Sequence, residues 1–328
     1  MHSDIPTYVQ SLFELCEKQK ASDLHLEPTE KNYRIRLRID GQLRVFSNLP
    51  TAFAEGVLHH LKILSHLNGA EQRRPQEGRI MGKNIRISFC PSFPGEKCAL
   101  RFLSAGFENL NLYELGFLPE QLSTILEALT HPQGLILVSG PTGSGKSLSL
   151  YSMLAHLNSP QKNIMTIEDP IEILLPGLTQ IQVNPDIGLD FHELLKTVLR
   201  QDPNILMIGE IRDEKTAKML IKASQTGHLV LATLHAKNAL ESLLRLENLG
   251  IDRWNLSASV SLLLAQRLVQ KQGGGRCAIF EVSPMEPSLK AAYLRQDALT
   301  PPQFSLKDHA LILAKQGLIS LEEASHVL

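Results

Sequence analysis

The first hundred residues alternate between apolar and polar positions in the manner of a small sheet packed against helices. Apolar side chains at helical spacing predict helices over residues 5–20 and 52–67. Alternation with a period of two predicts strands over residues 23–27, 33–39, 42–46, 79–81, 84–89 and 98–103. Asp40 and Gly41 are a hairpin signal between two of these strands, so we expect an antiparallel sheet. The solvated face of the second strand is expected to carry Arg34, Arg36 and Arg38.

The pattern changes after about residue 113, where short, continuously apolar runs alternate with helical segments. The runs lie at residues 134–139, 163–168, 204–209 and 228–234. Strands of this kind, separated by helices, indicate a parallel sheet that is covered on both faces. From about residue 237 to residue 328 the pattern predicts helices only. We therefore expect a small α+β domain over residues 1–104, a linker over 105–112 and an α/β domain over 113–328.

Length and hydrophobic content are sufficient for two folded domains, and the charge distribution argues against binding to nucleic acid. The chain has 328 residues, of which 43% are hydrophobic, and this is enough for sizeable cores. Residues 1–105 hold 15 Lys and Arg against 11 Asp and Glu, whereas the remainder holds 18 against 23. A basic first part thus precedes an acidic second part, although the net charge is only −1. Because there is no basic run, we expect no nucleic acid partner.

The pattern of cysteines favours a reducing compartment, and the pattern of apolar residues argues against a signal peptide or a membrane span. The four cysteines, Cys16, Cys90, Cys98 and Cys277, form no C-x-x-C pair, which argues against a zinc site or a disulfide framework. The first fifteen residues lack the apolar run of a signal peptide. No apolar run is long enough to span a bilayer. We therefore expect a cytoplasmic protein without a transmembrane segment.

Residues 140–147, of sequence GPTGSGKS, match the phosphate-binding loop G-x-x-x-x-G-K-[ST]. The loop lies between an apolar run and a segment with helical spacing, where its backbone N–H groups and the helix N-terminus favour a phosphate. Lys146 is expected to reach the β- and γ-phosphates of ATP, and the Ser147 hydroxyl is expected to bind Mg²⁺. The predicted nucleotide-binding residues are Gly140, Pro141, Thr142, Gly143, Ser144, Gly145, Lys146, Ser147 and Leu148.

Residues that are costly to bury stand at the ends of the other three apolar strands, namely Glu168, Glu210 and His235. Because ligands of open α/β sheets bind at the carboxyl ends of the strands, we expect these side chains to converge with Lys146 in one crevice. Phosphoryl transfer to water needs a metal, a positioned water and cationic cover for the γ-phosphate. Glu210 is the candidate to orient the water or to hold Mg²⁺ through its hydration shell. Glu168 could support the metal or polarise a second water, and His235 could sense the γ-phosphate.

Together these motifs resemble those of the secretion ATPase superfamily of type II secretion and type IV pilus assembly. The resemblance extends from about residue 21 to residue 282. Sequences similar to the family's Asp box, Walker B region and His box lie at residues 166–172, 208–213 and 226–235. Segments similar to the family's second N-terminal domain lie at residues 21–28, 38–41, 73–78 and 95–101.

The resemblance implies a RecA-like ATPase domain preceded by a PAS-like α+β domain. It also implies a homohexamer that acts on an inner-membrane platform protein and is peripherally associated with the inner membrane. Glu210 takes the place of the family's catalytic carboxylate. Arginines of the first domain reach the nucleotide in this family, and Arg86 and Arg101 fit best by position, with Arg79 as a third candidate. The alternative for each is a solvated arginine on a strand face.

The chain departs from the family's usual pattern in four places. Residues 265–269 run almost directly to the glycines at 273–275, where full-length loading ATPases carry a four-cysteine zinc loop, so we expect no zinc. The family's first N-terminal domain is not recognised, and we expect recruitment to the membrane to use another surface. Ser147 replaces the commoner Thr, and Asn204 stands where an Asp is usual before Walker B.

The leading interpretation is an ATP-driven motor that assembles a type IV pilus, or a pseudopilus of type II secretion or competence. A retraction motor of the same superfamily is the nearest alternative, favoured by the short chain and the missing zinc loop. A nucleotide-binding scaffold without hydrolysis is the alternative from another class, motivated by Ser147 and Asn204. The sequence does not name the pilin or the platform protein, nor does it separate pilus assembly from secretion or DNA uptake.

Overall fold

The computed structural model describes residues 4–80, 83, 85–102 and 110–327, apart from the side chain of Asp186. The chain divides into two compact units, Met1–Asn109 and Leu110–Leu328, each with its own sheet and core. The predicted strand ends at Met81, Asn84 and Leu103 lie outside the described residues, as does most of the predicted linker. In the described ranges, no helix has the length and apolar character needed to cross a membrane.

The N-terminal unit is a six-stranded antiparallel sheet with two helices packed against it. The helices are α1 (Ile5–Lys18) and α2 (Thr51–Leu64). The strands are β1 (Asp23–Pro28), β2 (Asn32–Ile39), β3 (Gln42–Pro50), β4 (Gln76–Ile80), β5 (Ile85–Pro91) and β6 (Glu96–Phe102). Their order across the sheet is β3-β2-β1-β6-β5-β4, and every neighbouring pair is antiparallel. The hairpin predicted at Asp40 and Gly41 joins β2 to β3.

Apolar and polar residues alternate along the central strands, so one face of the sheet is apolar and the other is polar. Alternate residues of β1 and β2 are buried in one cluster with α1 and α2, and they include Leu24, Leu26, Ile35 and Leu37. Burial of apolar surface of this kind contributes about 25 cal/mol per Å². The intervening residues form the opposite, polar face of the sheet.

The polar face is held by ion pairs centred on Glu27. The carboxylate of Glu27 lies 3.0 Å from the Arg34 guanidinium, 2.6 Å from that of Arg36 and 3.1 Å from the Lys97 ammonium. Burial alone would raise the pKa of Glu27, but the hydrogen bonds from Arg36, Lys97 and Arg34 outweigh burial and lower the pKa to about 2. Arg34 and Arg36, which were expected on a solvated face, are therefore engaged by the buried Glu27, and Arg38 lies 3.5 Å from the buried Asp23.

The C-terminal unit contains a seven-stranded sheet with helices packed against it. The strands are β7 (Gly134–Ser139), β8 (Ile164–Glu168), β9 (Thr179–Gln182), β10 (Ile205–Ile208), β11 (Leu229–Leu234), β12 (Val260–Gln270) and β13 (Arg276–Pro284). Their order is β13-β12-β7-β11-β10-β8-β9. Six of these strands run parallel, and β13 pairs antiparallel with β12 at the edge. The strands β7, β10 and β11 are buried throughout, as their continuous apolar sequences predict.

Helices connect most of these strands. They are α3 (Pro119–Thr130), α4 (Lys146–Leu157), α5 (Phe191–Val198), α6 (Glu214–Gln225), α7 (Glu241–Asn248), α8 (Arg253–Ser259), α9 (Pro287–Arg295), α10 (Leu306–Lys315) and α11 (Leu321–Ser325). Several begin at side-chain caps, for example α6, where the Asp213 carboxylate accepts the Thr216 N–H at 2.9 Å. Such a cap satisfies a backbone donor that the first turn of a helix leaves without a partner.

The prediction of helices alone after residue 237 is wrong for much of that segment. Residues 260–270 form β12, and residues 276–284 form β13. The apolar run of β12 contains four leucines, which favour helices, but it lies between β7 and β13 as an inner strand. Gly274 and Gly275 have φ values of 88° and 76° in the turn between the two strands. These glycines were the sequence signal of a hairpin.

Candidate active site

The phosphate loop connects the buried strand β7 to α4, and its glycines are required by its conformation. Gly140 has a φ of 150°, and a Cβ atom there would lie 2.6 Å from the Gln266 carbonyl oxygen. Gly145 is the N-cap residue of α4 with a φ of 89°, so helix α4 starts at Lys146. This geometry directs the N-terminus of α4, with its free N–H groups, towards the loop.

Lys146 folds back over the phosphate loop. Its Nζ donates to the carbonyl oxygens of Gly140, at 2.7 Å, and Pro141, at 3.0 Å. Burial lowers the pKa of Lys146, and Arg267 lowers it further, whereas Glu210 and Glu172 raise it. The ammonium group is thus placed within the electrostatic reach of both carboxylates and over a loop shaped for an anion.

Parallel pairing brings the carboxyl ends of β8, β10, β11 and β7 to one edge of the sheet. Ile208 at the end of β10 is paired with Ala232 of β11 on one side and with Ile167 of β8 on the other. Glu168 is the last residue of β8, whereas Glu210 and His235 follow the ends of β10 and β11. All three predicted side chains therefore lie at the edge that carries the phosphate loop, as sequence reasoning placed them.

Glu210 and His235 join the phosphate loop in one group. His235 Nε2 lies 3.3 Å from Glu210 Oε1, and His235 Nδ1 lies 3.1 Å from the Gly140 carbonyl oxygen. Both ring nitrogens thus face acceptors, and a ring protonated at both would donate to each of them. The His235 ring thus lies between the Glu210 carboxylate and Gly140, the first residue of the phosphate loop.

Arg212 is a member of this group that sequence reasoning missed. Its guanidinium lies 2.8 Å from Glu210 Oε2 and 3.1 Å from Asp169 Oδ2. The hydrogen bond and charge of Glu210, together with Asp169, raise the pKa of Arg212. The available signal was an arginine two residues after a strand-end glutamate, which lies on the same side of an extended chain.

Glu168 has a different environment from Glu210. It is only 3% exposed, and it accepts hydrogen bonds from the hydroxyl groups of Tyr151 and Thr166 and from the Gln180 amide. Glu210, by contrast, keeps about a quarter of its side chain exposed, at 23%. The two predicted carboxylates are therefore brought to one edge but are held in different ways.

Ser147 and Glu210 supply the kind of donor atom that Mg²⁺ prefers. Ser147 is half-buried in the first turn of α4, and its hydroxyl is an oxygen ligand, as is the carboxylate of Glu210. In the described ranges no cluster of three or more His, Cys, Asp or Glu side chains is placed to bind a metal ion. The residues present fit Mg²⁺, which usually keeps several waters and takes few protein ligands beside phosphate oxygens.

The remaining predicted loop residues differ in exposure. Pro141, Thr142 and Gly143 are exposed at the outside of the loop, whereas Ser144 is buried and Leu148 is half-buried. The side-chain amide of Gln266 in β12 donates to the Ser144 carbonyl oxygen at 2.7 Å, a contact that the sequence did not indicate. The neighbouring strand β12 thereby helps to hold the loop in place.

The candidate arginines lie in the N-terminal unit, on the polar face of its sheet. Arg79, Arg86 and Arg101 are neighbours across β4, β5 and β6. Arg86 lies 2.6 Å from Glu77, and Arg101 lies 2.9 Å from Asp23. Burial and the adjacent Arg86 lower the pKa of Arg79. The strands thus bring the three arginines together in one row, in which Arg86 and Arg101 are each paired with a carboxylate.

Asn204 lies away from the group at the phosphate loop. It directly precedes β10, at the amino end of the strand, and its side-chain oxygen accepts the Asn163 N–H at 2.7 Å. Glu210 follows the other end of the same strand. The departure from the usual Asp is therefore located at the edge of the sheet opposite the candidate site.

Comparison with solved structures shows that the chain has the fold of the RecA-like secretion ATPases. The structure of the Legionella pneumophila ATPase DotB superposes with a TM-score of 0.79, covering 98% of this chain and 95% of that one at 21% identity. The pilus retraction motor PilT, solved with bound ADP, gives a TM-score of 0.74 and 26% identity over 100% and 97% of the two chains.

The chain belongs to the family described as Type II/IV secretion system protein, whose model matches residues 2–278. This confirms the family resemblance seen in the motifs. It is 46% identical over 274 residues to the type IV pilus assembly ATPase PilB of Acinetobacter baylyi, covering 81% of this chain and 47% of that protein. It is 39% identical over 362 aligned positions to the protein transport protein HofB homolog of Escherichia coli, covering 95% and 78%.

A third relative is the type II secretion system protein E of Xanthomonas campestris, which is 42% identical over 273 residues and covers 81% of this chain and 48% of that protein. The chain thus spans about half the length of two of these curated relatives and about three quarters of the third. The relatives include both pilus assembly and type II secretion proteins, and a retraction motor shares the fold.

Proposed function

We propose that this chain is an ATP-hydrolysing motor that drives assembly of a type IV pilus or a pseudopilus. The observation that carries the proposal is the group formed by the phosphate loop, Glu210 and His235 at one edge of the parallel sheet. Phosphoryl transfer to water depends on positioned charge, and this edge supplies a cation, a carboxylate and a helix N-terminus together.

The roles follow from the chemistry of each group. The loop N–H groups and Lys146 bind the phosphates, and Lys146 exchanges its contacts with Gly140 and Pro141 for phosphate oxygens. Glu210 orients the attacking water, and His235 links that carboxylate to the loop. Ser147 would hold Mg²⁺, with Glu210 contacting its hydration shell, and the ion would neutralise charge that develops on the phosphates.

The proposed motor is a homohexamer. Several relatives are named as pilus assembly or secretion proteins, and a ring that acts on an inner-membrane platform protein would turn hydrolysis into motion. Arg86 and Arg101 would then provide cationic cover for the nucleotide, a role for which their place as neighbours in one row of arginines suits them. The chain would act in the cytoplasm, peripherally associated with the inner membrane.

The proposal is tested with the Lys146→Ala variant in assays of nucleotide binding and phosphate release with Mg-ATP. Loss of the ammonium is expected to reduce hydrolysis by at least ~100-fold, because charge stabilisation of the transferred group is lost. The matched control is Lys218→Ala, which removes an exposed lysine paired with Glu214 at 2.5 Å on α6. Unchanged hydrolysis in the Lys146 variant would contradict the proposal.

A retraction motor is a second candidate, because the PilT structure covers the whole of this chain at 26% identity. The two motors differ in the phenotype of a gene deletion. Loss of the fibre indicates assembly, whereas an excess of fibres indicates retraction. A scaffold that binds nucleotide without turnover is less favoured, since Asn204 lies at the amino end of β10 and not beside Glu210.

A further inference from the structure

The buried carboxylate of Glu168 is fully engaged by the protein itself. Three donors reach it from three elements: Thr166 from β8, Gln180 from β9, at 3.1 Å, and Tyr151 from α4. A carboxylate offers about four lone-pair positions, so three donors leave little capacity for a metal ion or a water. With an exposed fraction of 3%, Glu168 is also shielded from a reactant that approaches from solvent.

Tyr151 connects this carboxylate to the phosphate loop. It lies one turn after Ser147 on α4, and it is only 1% exposed. Burial and the neighbouring Glu168 raise the pKa of Tyr151, so its hydroxyl remains a donor. Residues four apart lie on the same side of a helix. A hydrogen bond that fixes Tyr151 therefore also fixes the rotation of the first turn, which carries Lys146 and Ser147.

The same hydrogen-bonded group holds residues 172–175, which end the Asp box and directly follow it. The Tyr151 hydroxyl accepts the Glu172 N–H at 3.2 Å. Gln180 accepts the Leu175 N–H at 2.6 Å and donates to the Ile173 carbonyl oxygen at 2.9 Å. The network thus joins α4, which begins at the phosphate loop, to residues 172–175.

We propose that Glu168 is a positioning residue, which sets the place of α4 and of residues 172–175 through Tyr151 and Gln180, and that it does not act on the metal or the water. This inference rests on the proposed nucleotide site. It assigns to the glutamate at the end of β8 a task distinct from that of Glu210, which keeps part of its carboxylate open to solvent.

The test is a double-mutant cycle of Tyr151→Phe and Glu168→Gln, with the dissociation constant of MgADP, the kcat and KM for ATP, and the Mg²⁺ requirement measured for each protein. Tyr151→Phe keeps the buried ring and removes only the hydroxyl. We expect each single variant to weaken MgADP binding roughly tenfold, the loss expected for one charge-assisted hydrogen bond. Because the two residues act through one bond, we expect the double variant to be no weaker than the single variants.

The matched control is Tyr293→Phe, which removes a tyrosine hydroxyl that donates to Glu247 at 2.6 Å on a different pair of helices of the same unit. We expect this control to leave the MgADP dissociation constant unchanged. If it weakens binding as much as Tyr151→Phe does, the effect is general loosening and the proposal is wrong. If Glu168→Gln fails to fold, Gln180→Ala replaces it in the cycle.

Two further outcomes separate the proposal from its alternatives. A Glu168→Gln protein that needs more Mg²⁺, or that loses kcat at least ~100-fold while Tyr151→Phe resembles the wild type, would show that Glu168 acts on the reactants. A wild-type protein that binds MgADP without hydrolysing ATP would overturn the proposed function, but the binding arm of the cycle would still test the role of Glu168.

Discussion

At the scale of the residue, the candidate site depends on neighbours that hold its charged groups. Glu210 lies between His235 and Arg212, at 3.3 Å and 2.8 Å, and each partner takes a different carboxylate oxygen. Arg212 also reaches Asp169 at 3.1 Å, so one guanidinium joins the segments that follow β10 and β8. A planar guanidinium with several fixed donors can join two carboxylates in this way.

We predict that Arg212→Gln lowers kcat for ATP roughly tenfold with little change in KM, because Glu210 loses a charge-assisted hydrogen bond that fixes its orientation. Steady-state phosphate release over a range of ATP concentrations measures both parameters. The matched control is Arg295→Gln, since Arg295 pairs with Asp297 at 2.8 Å with the same spacing of two residues. An equal loss in both variants would contradict the role given to Arg212.

Three members of the site, Lys146, Glu210 and His235, could be located from the sequence, whereas Arg212 and the uncharged partners were missed. Lys146 is part of a contiguous motif, and Glu210 and His235 follow apolar strands, so each has a local signal. Tyr151 and Gln180 have no such signal: Tyr151 is one apolar position of an apolar helix, and Gln180 belongs to a short edge strand. Their roles depend on which strands become neighbours, and this is decided by the fold.

At the scale of the element, the period of the apolar residues predicts a helix or strand well when that helix or strand buries only one of its faces. Helices α1 and α2 and strands β1 and β2 are of this kind, and they were predicted with the correct type. Strand β12 has five consecutive buried residues, 262–266, so its sequence lacks a period that separates strand from helix. Its position beside β7 is a tertiary property that a local pattern does not contain.

One contact between elements in the N-terminal unit is a buried ion pair. Lys62 of α2 is 1% exposed, and its Nζ lies 2.8 Å from the Glu96 carboxylate of β6. The same ammonium donates to the Glu71 carbonyl oxygen and lies 5.0 Å from the centre of the Phe89 ring. The pair therefore fastens α2 to the sheet and to the segment that precedes β4.

We predict that Lys62→Met lowers the free energy of unfolding by ~3–5 kcal/mol, because it leaves the Glu96 carboxylate buried without its cation. Denaturant unfolding followed by far-UV circular dichroism measures the change. Lys196→Met is the control: Lys196 pairs with Glu193 on the surface, and removal of such a pair is expected to cost less than ~1 kcal/mol. A loss as small as the control's would contradict this account of the pair.

At the scale of the whole molecule, the chain consists of two units that differ in charge. The N-terminal unit presents a row of arginines on its sheet, whereas the C-terminal unit contains the complete phosphate loop with Glu210 and His235. In the proposed motor the row of arginines would complete a nucleotide site in the assembled ring. Hydrolysis is then expected to depend on assembly as well as on the residues of one chain.

The central claim is that Glu210 supports hydrolysis at the phosphate loop. The most direct test is phosphate release from the purified chain and its Glu210→Gln variant with Mg-ATP, over a range of protein concentrations and with the mass in solution measured in parallel. Glu214→Gln, which changes an exposed glutamate of α6, is the matched control.

We predict that the wild type and Glu214→Gln hydrolyse ATP with a specific activity that rises as the ring assembles. We expect Glu210→Gln to bind ATP but to release phosphate at least ~100-fold more slowly, since the carboxylate that orients the water is lost. Equal phosphate release from Glu210→Gln and the wild type would contradict the account, and so would a wild type that assembles and binds ATP without turnover.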